Sequence, residues 1–135
     1  MYESLVEEAK KARNMAYCPY SHFAVGAALL AKDGRIFTGC NIENASYGAT
    51  ICAERVALGK AISEGARAFV AIAIVSSAEE NTPPCGICRQ VLVEWMPEGD
   101  VVLWSKKAGI QVEPMAALLP GAFLRASMEE QKKEG

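Results

Sequence analysis

The chain has 135 residues, 51% of them hydrophobic, and a formal net charge of -2 with no basic run; that predicts one domain over residues 1–135 with one core, and no electrostatic footprint for a nucleic-acid partner. No apolar stretch reaches membrane-spanning length, and Met1-Tyr2-Glu3-Ser4 carries acid rather than the basic lead of a secretory signal, so a cytoplasmic protein without membrane association is expected.

Along residues 4–15, Leu5, Ala9, Ala12 and Ala16 recur at steps of three and four while Glu7, Glu8, Lys10 and Lys11 fall on other faces, which predicts an amphipathic helix. Ser4 and Glu7 have capping-box spacing, and Glu7 with Lys11 has the spacing of a favourable i, i+4 pair. Tyr17-Cys18-Pro19-Tyr20-Ser21-His22 breaks the pattern and reads as a loop, because the residue before a proline is pushed out of helical dihedrals. Residues 23–31 and 35–40 read as antiparallel strands joined at Asp33-Gly34. The first of them is apolar almost throughout, which predicts burial on both faces and helices on both sides of the sheet.

The polar stretch 41–48 has no clean period and reads either as a loop carrying binding groups or as a helix-capping turn. Residues 52–63 read as a helix with Val56, Leu58 and Ile62 inward and Gly65 as its stop, placing Cys52 in the first turn. A buried strand is expected over 68–75, a polar loop over 76–84, and a helix over 86–96 with Val91, Leu92 and Trp95 as its core stripe. Residues 101–104 form a short strand, Ala108-Gly109 a turn, and Pro114 opens a brief helix through Leu119. The tail 126–135 has no hydrophobic anchor and is expected to fray. Helices alternating with strands after an opening hairpin predict an α/β layered domain with a mixed sheet.

The chemistry concentrates in Cys52-Ala53-Glu54-Arg55 and Pro84-Cys85-Gly86-Ile87-Cys88. Five cysteines, an odd number grouped as a close pair and singles, suit reduced thiols and metal binding better than a disulfide framework. Cys85 and Cys88, three apart, share one helix face and can reach one ion. Catalytic zinc keeps three protein ligands and leaves a position for water, which Cys52, Cys85 and Cys88 match. A closed structural site drawing a fourth ligand from Cys18, Cys40 or His22 is the alternative that spacing leaves open. Glu54, two places from Cys52, reads as a proton carrier beside the metal rather than a ligand. Zinc at +2 with three thiolates sums to -1, and Arg55, three residues from Cys52, is the cation placed to offset it by hydrogen bonding to sulfur.

These stretches, with Tyr20-Ser21-His22-Phe23-Ala24-Val25-Gly26-Ala27-Ala28, Thr38-Gly39-Cys40-Asn41-Ile42-Glu43-Asn44-Ala45-Ser46-Tyr47, the continuation Arg89-Gln90-Val91 and Leu118-Leu119-Pro120-Gly121-Ala122-Phe123, resemble the small, homotetrameric type of cytidine deaminase in family order. The resemblance implies a three-layer α/β/α fold with a mixed, about five-stranded sheet. It implies one Zn2+ per subunit on Cys52, Cys85 and Cys88, and hydrolytic deamination of cytidine and 2'-deoxycytidine in pyrimidine salvage. Glu54 would take a proton from water and deliver it to N3 and then to the leaving ammonia. Asn41 and Glu43 would bind the ribose hydroxyls, and Tyr47 and the backbone N–H of Ala53 would complete the nucleoside contacts. Phe23 would lie against the base and Phe123 would reach a neighbouring subunit's site, with plain core burial as the alternative for both rings. His22 stands where the family often has Lys. A deaminase of a cytosine-nucleoside antibiotic such as blasticidin S, a zinc-stabilised binding module without catalysis, and a nucleic-acid editing enzyme are the competing readings.

Overall fold

The apolar run after the Pro19 loop becomes the strand on which the sheet is built. In the computed structural model, which describes residues 1–128, β1 (Val25–Ala31) pairs antiparallel with β2 (Ile36–Cys40) on one side and with β3 (Phe69–Ser76) on the other. β4 (Asp100–Ser105) lies parallel to β3, and β5 (Gly109–Pro114) returns antiparallel to β4, so the order is β2-β1-β3-β4-β5. The helices are α1 (Glu3–Arg13), α2 (Ala53–Ser63), α3 (Gly86–Trp95) and the short α4 (Met115–Leu118). This is the expected mixed five-stranded sheet.

Both faces of the sheet are covered, as the unbroken hydrophobicity of β1 requires. On one face Leu5, Val6 and Ala9 of α1 pack on Ala28, Ala71, Ala73, Val75 and Val102. On the other, Ala53, Ala57, Leu58 and Ala61 of α2 and Leu92 and Val93 of α3 pack on Ala27, Leu29, Ile72, Ile74 and Val101. Burying Leu5 and Val6 contributes about 1.5–3 kcal/mol each to docking α1. Its two ends are pinned by polar contacts, Tyr2 Oη donating to Asp100 at 2.6 Å and Arg13 Nη1 donating to the Ser76 carbonyl at 2.7 Å.

Several local expectations are corrected. The chain enters α1 at Glu3, with Tyr2 at the cap position and no side-chain cap, because Val6 N already bonds the Tyr2 carbonyl at 3.0 Å. Ser4 therefore sits inside the first turn and the capping box does not form. Glu7 and Lys11 do not pair with each other: Lys10 bonds Glu7 at 3.1 Å and Lys11 bonds Glu8 at 3.3 Å. Residues 109–114, read as a turn followed by a helix start, form the edge strand β5, with Pro114 as the N-cap of α4. The tail expected to fray over 126–135 falls mostly on residues 129–135, outside the described residues.

The sheet registers decide where the active elements meet. Val25 faces Ser76 and Gly26 faces Cys40, so the C-terminal ends of β2 and β3 emerge at the same edge. The chain leading from β2 to α2 and the chain leading from β3 to α3 both start there. Close approach of α2 needs Gly39: a Cβ at that position would fall on the Ala53 carbonyl and the Ala57 amide. Gly39→Ala is expected to cost about 1–3 kcal/mol, the range for overpacking a filled interior, read as a lower midpoint in urea or thermal unfolding.

Candidate metal and catalytic site

Cys52 and Cys85 are the N-cap residues of α2 and α3, both with extended backbone, at φ -71° and -67°. Cys52 thus precedes its helix rather than lying in the first turn, which swings its side chain to the rim of the helix end. Cys88 is buried one turn into α3. The Cys52 and Cys85 sulfurs are 3.7 Å apart, those of Cys85 and Cys88 3.5 Å apart, and all three lie within 4.8 Å of one another. Tetrahedral zinc with Zn–S bonds of ~2.3 Å holds its sulfurs ~3.8 Å apart, so the donor set fits zinc in both chemistry and spacing. Among the described residues no His, Asp, Glu or further Cys joins the cluster as a fourth member. Cys18, Cys40 and His22 stay outside it, against a closed four-ligand site.

Charge is crowded here. Cys52 is held down to about 5, chiefly by a hydrogen bond from Cys88 and further by Arg55 and Cys85, against the opposing effect of burial. Cys88 is pushed upward, first by its hydrogen bond to the same Cys52 sulfur, then by burial and the Glu54 charge. The opposite directions describe one shared proton. The first thiol ionises easily and the next only against its neighbours, and a divalent cation removes that cost because cysteine ligates as thiolate. The Arg55 guanidinium lies at the expected place, with Nη2 3.7 Å from Cys52 Sγ and 3.5 Å from the Thr50 carbonyl oxygen. Its Nε is buried with no hydrogen-bond partner among the described residues.

Glu54, in the first turn of α2, is only 4% exposed. Burial, reinforced by the neighbouring Cys52 charge, raises its carboxyl above the ordinary range. It lines a cavity of about 270 Å³ together with Phe23, Asn41, Glu43, Ala53, Cys52 and Cys85. That is at the small end of ordinary ligand pockets, ~300–1,000 Å³. Five residues singled out as catalytic or substrate-binding therefore converge on one space with two of the metal ligands. The Ala53 N–H opens α2, where an amide has no intrahelical acceptor.

Asn41 and Glu43 do more than line it. Asn41 Oδ1 accepts from Val25 N at 2.9 Å and its Nδ2 donates to the Phe23 carbonyl at 2.8 Å. Glu43 Oε1 accepts from Tyr20 N at 3.0 Å and Ser21 N at 3.1 Å, and its Oε2 accepts from Ser21 Oγ. These bonds, the Ser21 hydroxyl foremost, keep the Glu43 carboxyl below its ordinary range. The loop they hold passes through His22 at φ 58°, a left-handed conformation uncommon outside glycine.

Tyr47 and Phe123 are not part of this cavity. Tyr47, in a single 3-10 turn over Tyr47–Ala49, lines an adjoining space of about 360 Å³ with Tyr20, Ser21, Glu43 and Thr50. Phe123 is 58% exposed, its carbonyl accepting from Gln90 Nε2 at 2.8 Å. Phe23 is 38% exposed, so neither phenylalanine is a core residue. Sequence reasoning missed Ser21, Thr50, Thr82 and Pro83 in the lining. The one available signal was their position beside recognised motifs. Thr82 owes its place to a 2.6 Å hydroxyl contact with the buried Ser76, which no periodicity announces.

Residues 1–103 match the family model described as the cytidine and deoxycytidylate deaminase zinc-binding region. The chain is 52% identical over 130 residues to a cytidine deaminase of Sporosarcina psychrophila, covering 93% of each protein. It is 53% identical over 129 residues to one of Halalkalibacterium halodurans, covering 95% of this chain and 98% of that one. A crystal structure of cytidine deaminase from Burkholderia pseudomallei superposes with a TM-score of 0.87 at 48% identity, over 91% of this chain and 99% of the other. A blasticidin-S deaminase of Bacillus cereus is more distant, 33% identical over 107 residues and covering 73% and 76% of the two chains.

The burial of Glu54 has a consequence for stability. A carboxyl whose folded pKa lies above its unfolded value is neutral in both states at low pH, and disfavours folding once pH rises through the unfolded and then the folded pKa. In metal-free protein Glu54→Gln is therefore expected to unfold at higher urea than wild type at pH 7. The advantage should shrink to nothing as pH falls below the ordinary carboxylate range; paired urea titrations at the two pH values measure it.

Proposed function

Because the chain belongs to the cytidine and deoxycytidylate deaminase family, we propose that it catalyses the zinc-dependent hydrolytic deamination of cytidine and 2'-deoxycytidine to uridine and 2'-deoxyuridine, releasing ammonia. The observation that carries this reading is the buried Glu54 carboxyl, outside the sulfur cluster yet opening on the same small cavity as Cys52 and Cys85. Held by Cys52, Cys85 and Cys88, zinc supplies Lewis acidity and lowers the pKa of water toward neutrality.

The protein's own part is positioning and proton transfer. Glu54 takes a proton from the attacking water, holds it on a carboxyl whose affinity for protons burial has raised, and passes it to N3 of the pyrimidine; it then relays the second proton, from the new C4 hydroxyl, to the departing amine. The C–O bond forms at C4 as the C4–N3 double bond opens onto N3, the bond from C4 to the amine breaks afterwards as C4=O forms, and water plus nucleoside become the uracil nucleoside plus ammonia. Phe23 supplies a flat apolar surface to the base, and the free Ala53 N–H donates to it. Asn41 and Glu43 address the ribose hydroxyls, since a carboxylate accepts from sugar O–H donors, and Tyr47 closes the outer side. Among the described residues no Lys or Arg lines the cavity, which supports a free nucleoside over a nucleotide or polynucleotide.

The enzyme works in this reading as a cytoplasmic homotetramer of pyrimidine salvage, with Phe123 reaching into a neighbouring subunit's site. The exposed rings of Tyr47 and Phe123, 74% and 58% accessible, with Ile42, Ile51 and Ile87 also exposed, support that reading as apolar surface that a neighbour would cover.

Zinc analysis and ultraviolet assays with cytidine, deoxycytidine and blasticidin S test the reading together. Turnover of both nucleosides with far slower attack on the antibiotic is expected. Glu54→Gln should keep its zinc and lose roughly 10²–10⁴ in turnover, the usual worth of a general acid-base; full turnover by this variant, or a protein without zinc, would sink the proposal. For the subunit arrangement, Phe123→Ala and Glu54→Gln chains are each expected to be weakly active alone. Co-refolded, they are expected to exceed the sum of the two, since a Glu54→Gln neighbour can donate Phe123 to a site with an intact Glu54.

A further inference from the structure

α3 turns two consecutive side chains toward the C-terminal part of the chain. Arg89 Nε donates to the Pro84 carbonyl at 2.8 Å while its Nη1 donates to the Leu118 carbonyl at 2.9 Å. Gln90 Nε2 donates to the Phe123 carbonyl at 2.8 Å. Pro84 is buried and immediately precedes Cys85, and Arg89 immediately follows Cys88. One guanidinium thus ties the backbone that delivers the Cys85 sulfur to the last residue of α4. Leu118, Leu119, Ala122 and Leu124 are only partly buried against the main core, and α4 has four residues and no side-chain cap, so this segment depends on such ties for its position. Arg89 lines none of the cavities at the site.

We propose that Arg89 is a positioning residue that couples the metal-binding loop 84–88 to the C-terminal segment 118–123, so that zinc on the three cysteines steadies the segment and the segment steadies the ligands. The fork of a guanidinium can serve two carbonyls in different directions at once, which the single ammonium of a lysine does less well. Two carbonyls sharing one donor move together. A coupling of this kind is reciprocal: whatever zinc contributes to ordering the segment, the segment contributes to holding zinc. The inference rests on the zinc reading of the cysteine cluster but not on which nucleoside is deaminated.

The test uses the zinc-loaded full chain as wild type, Arg89→Lys, Arg89→Gln and Gln90→Ala. Zinc release to a chromogenic chelator is followed alongside amide exchange of residues 116–124 with and without zinc. In wild type, removing zinc is expected to speed exchange across 116–124. The Arg89 variants should release zinc on the order of tenfold faster, the scale of one hydrogen bond to a charged group, and their exchange over 116–124 should no longer respond to zinc. Gln90→Ala, which leaves both Arg89 contacts intact, should release zinc far less rapidly than the Arg89 variants. If one Arg89 variant fails to fold, the other carries the comparison. Wild-type zinc release from a folded Arg89 variant, or exchange in wild type that ignores zinc, overturns the coupling alone. A wild-type chain that binds no zinc overturns both the coupling and the reading of the cluster.

Discussion

The site depends on a directional constraint in the sheet. β1 runs antiparallel to both of its neighbours, so β2 and β3 point the same way and deliver the chain to one edge. From there the backbone turns into α2 and α3, which pack on the same face, and each begins with a cysteine in the cap position. Cysteines 33 residues apart in the chain meet at 3.7 Å for that reason. Gly39 makes the meeting possible from below, since any side chain there would lift the start of α2 off the sheet.

Electrostatics and packing oppose each other at this junction. Both helix N-termini present amides and positive dipole ends that favour thiolates, and Arg55 adds a full charge against Cys52. Yet Cys88 and Glu54 are buried, and burial disfavours each of their anions. A metal-free chain must therefore hold protons it would otherwise lose, whereas two positive charges at the centre let the sulfurs ionise together. The residue left with an elevated proton affinity is Glu54, which stands beside the sulfur cluster and outside it. Its misfit with the folded interior raises its affinity for a proton, the property that the proposed role in proton transfer requires.

Most of this layout could be read from local pattern, and the failures have physical causes. The helices announced themselves by periodicity, the hairpin by Asp33-Gly34, and the two-sided burial of the sheet by the continuous apolar run of β1. The alternation of Ile110 and Val112 with Gln111 and Glu113 was a strand signal too, but an exposed edge strand of mixed polarity competes with the stronger turn and proline signals around it. α1 began earlier than Ser4 implied because Tyr2 is pinned across the sheet by Asp100, a contact 98 residues away in sequence. The Glu7–Lys11 pairing failed because surface pairs differ by only tenths of a kcal/mol and Lys10 offered Glu7 an equivalent partner. At the site, the gathering of Cys52, Cys85 and Cys88 with Glu54 and Arg55 beside them was legible because residues that share one ion must be spaced to reach it. Thr82 was not, since it reaches the cavity through a hydroxyl contact to Ser76.

Asn41 and Glu43 line the cavity and brace its wall at once. Both functional ends of Asn41 already hold the backbone on either side of Ala24, and that backbone sets the position of the Phe23 ring. Glu43 satisfies two amides and a hydroxyl of the loop that turns through left-handed His22. An unsatisfied pair of amides there would let the loop relax toward ordinary dihedrals and carry Ser21 and Phe23 out of the cavity wall. Asn41 Oδ1 and Glu43 Oε2 each keep a further lone pair and Asn41 Nδ2 a further proton, so bracing leaves each side chain capable of one more hydrogen bond. The cavity wall is held by polar groups that also line it, and its shape and its hydrogen-bonding character are consequently one property of the chain rather than two.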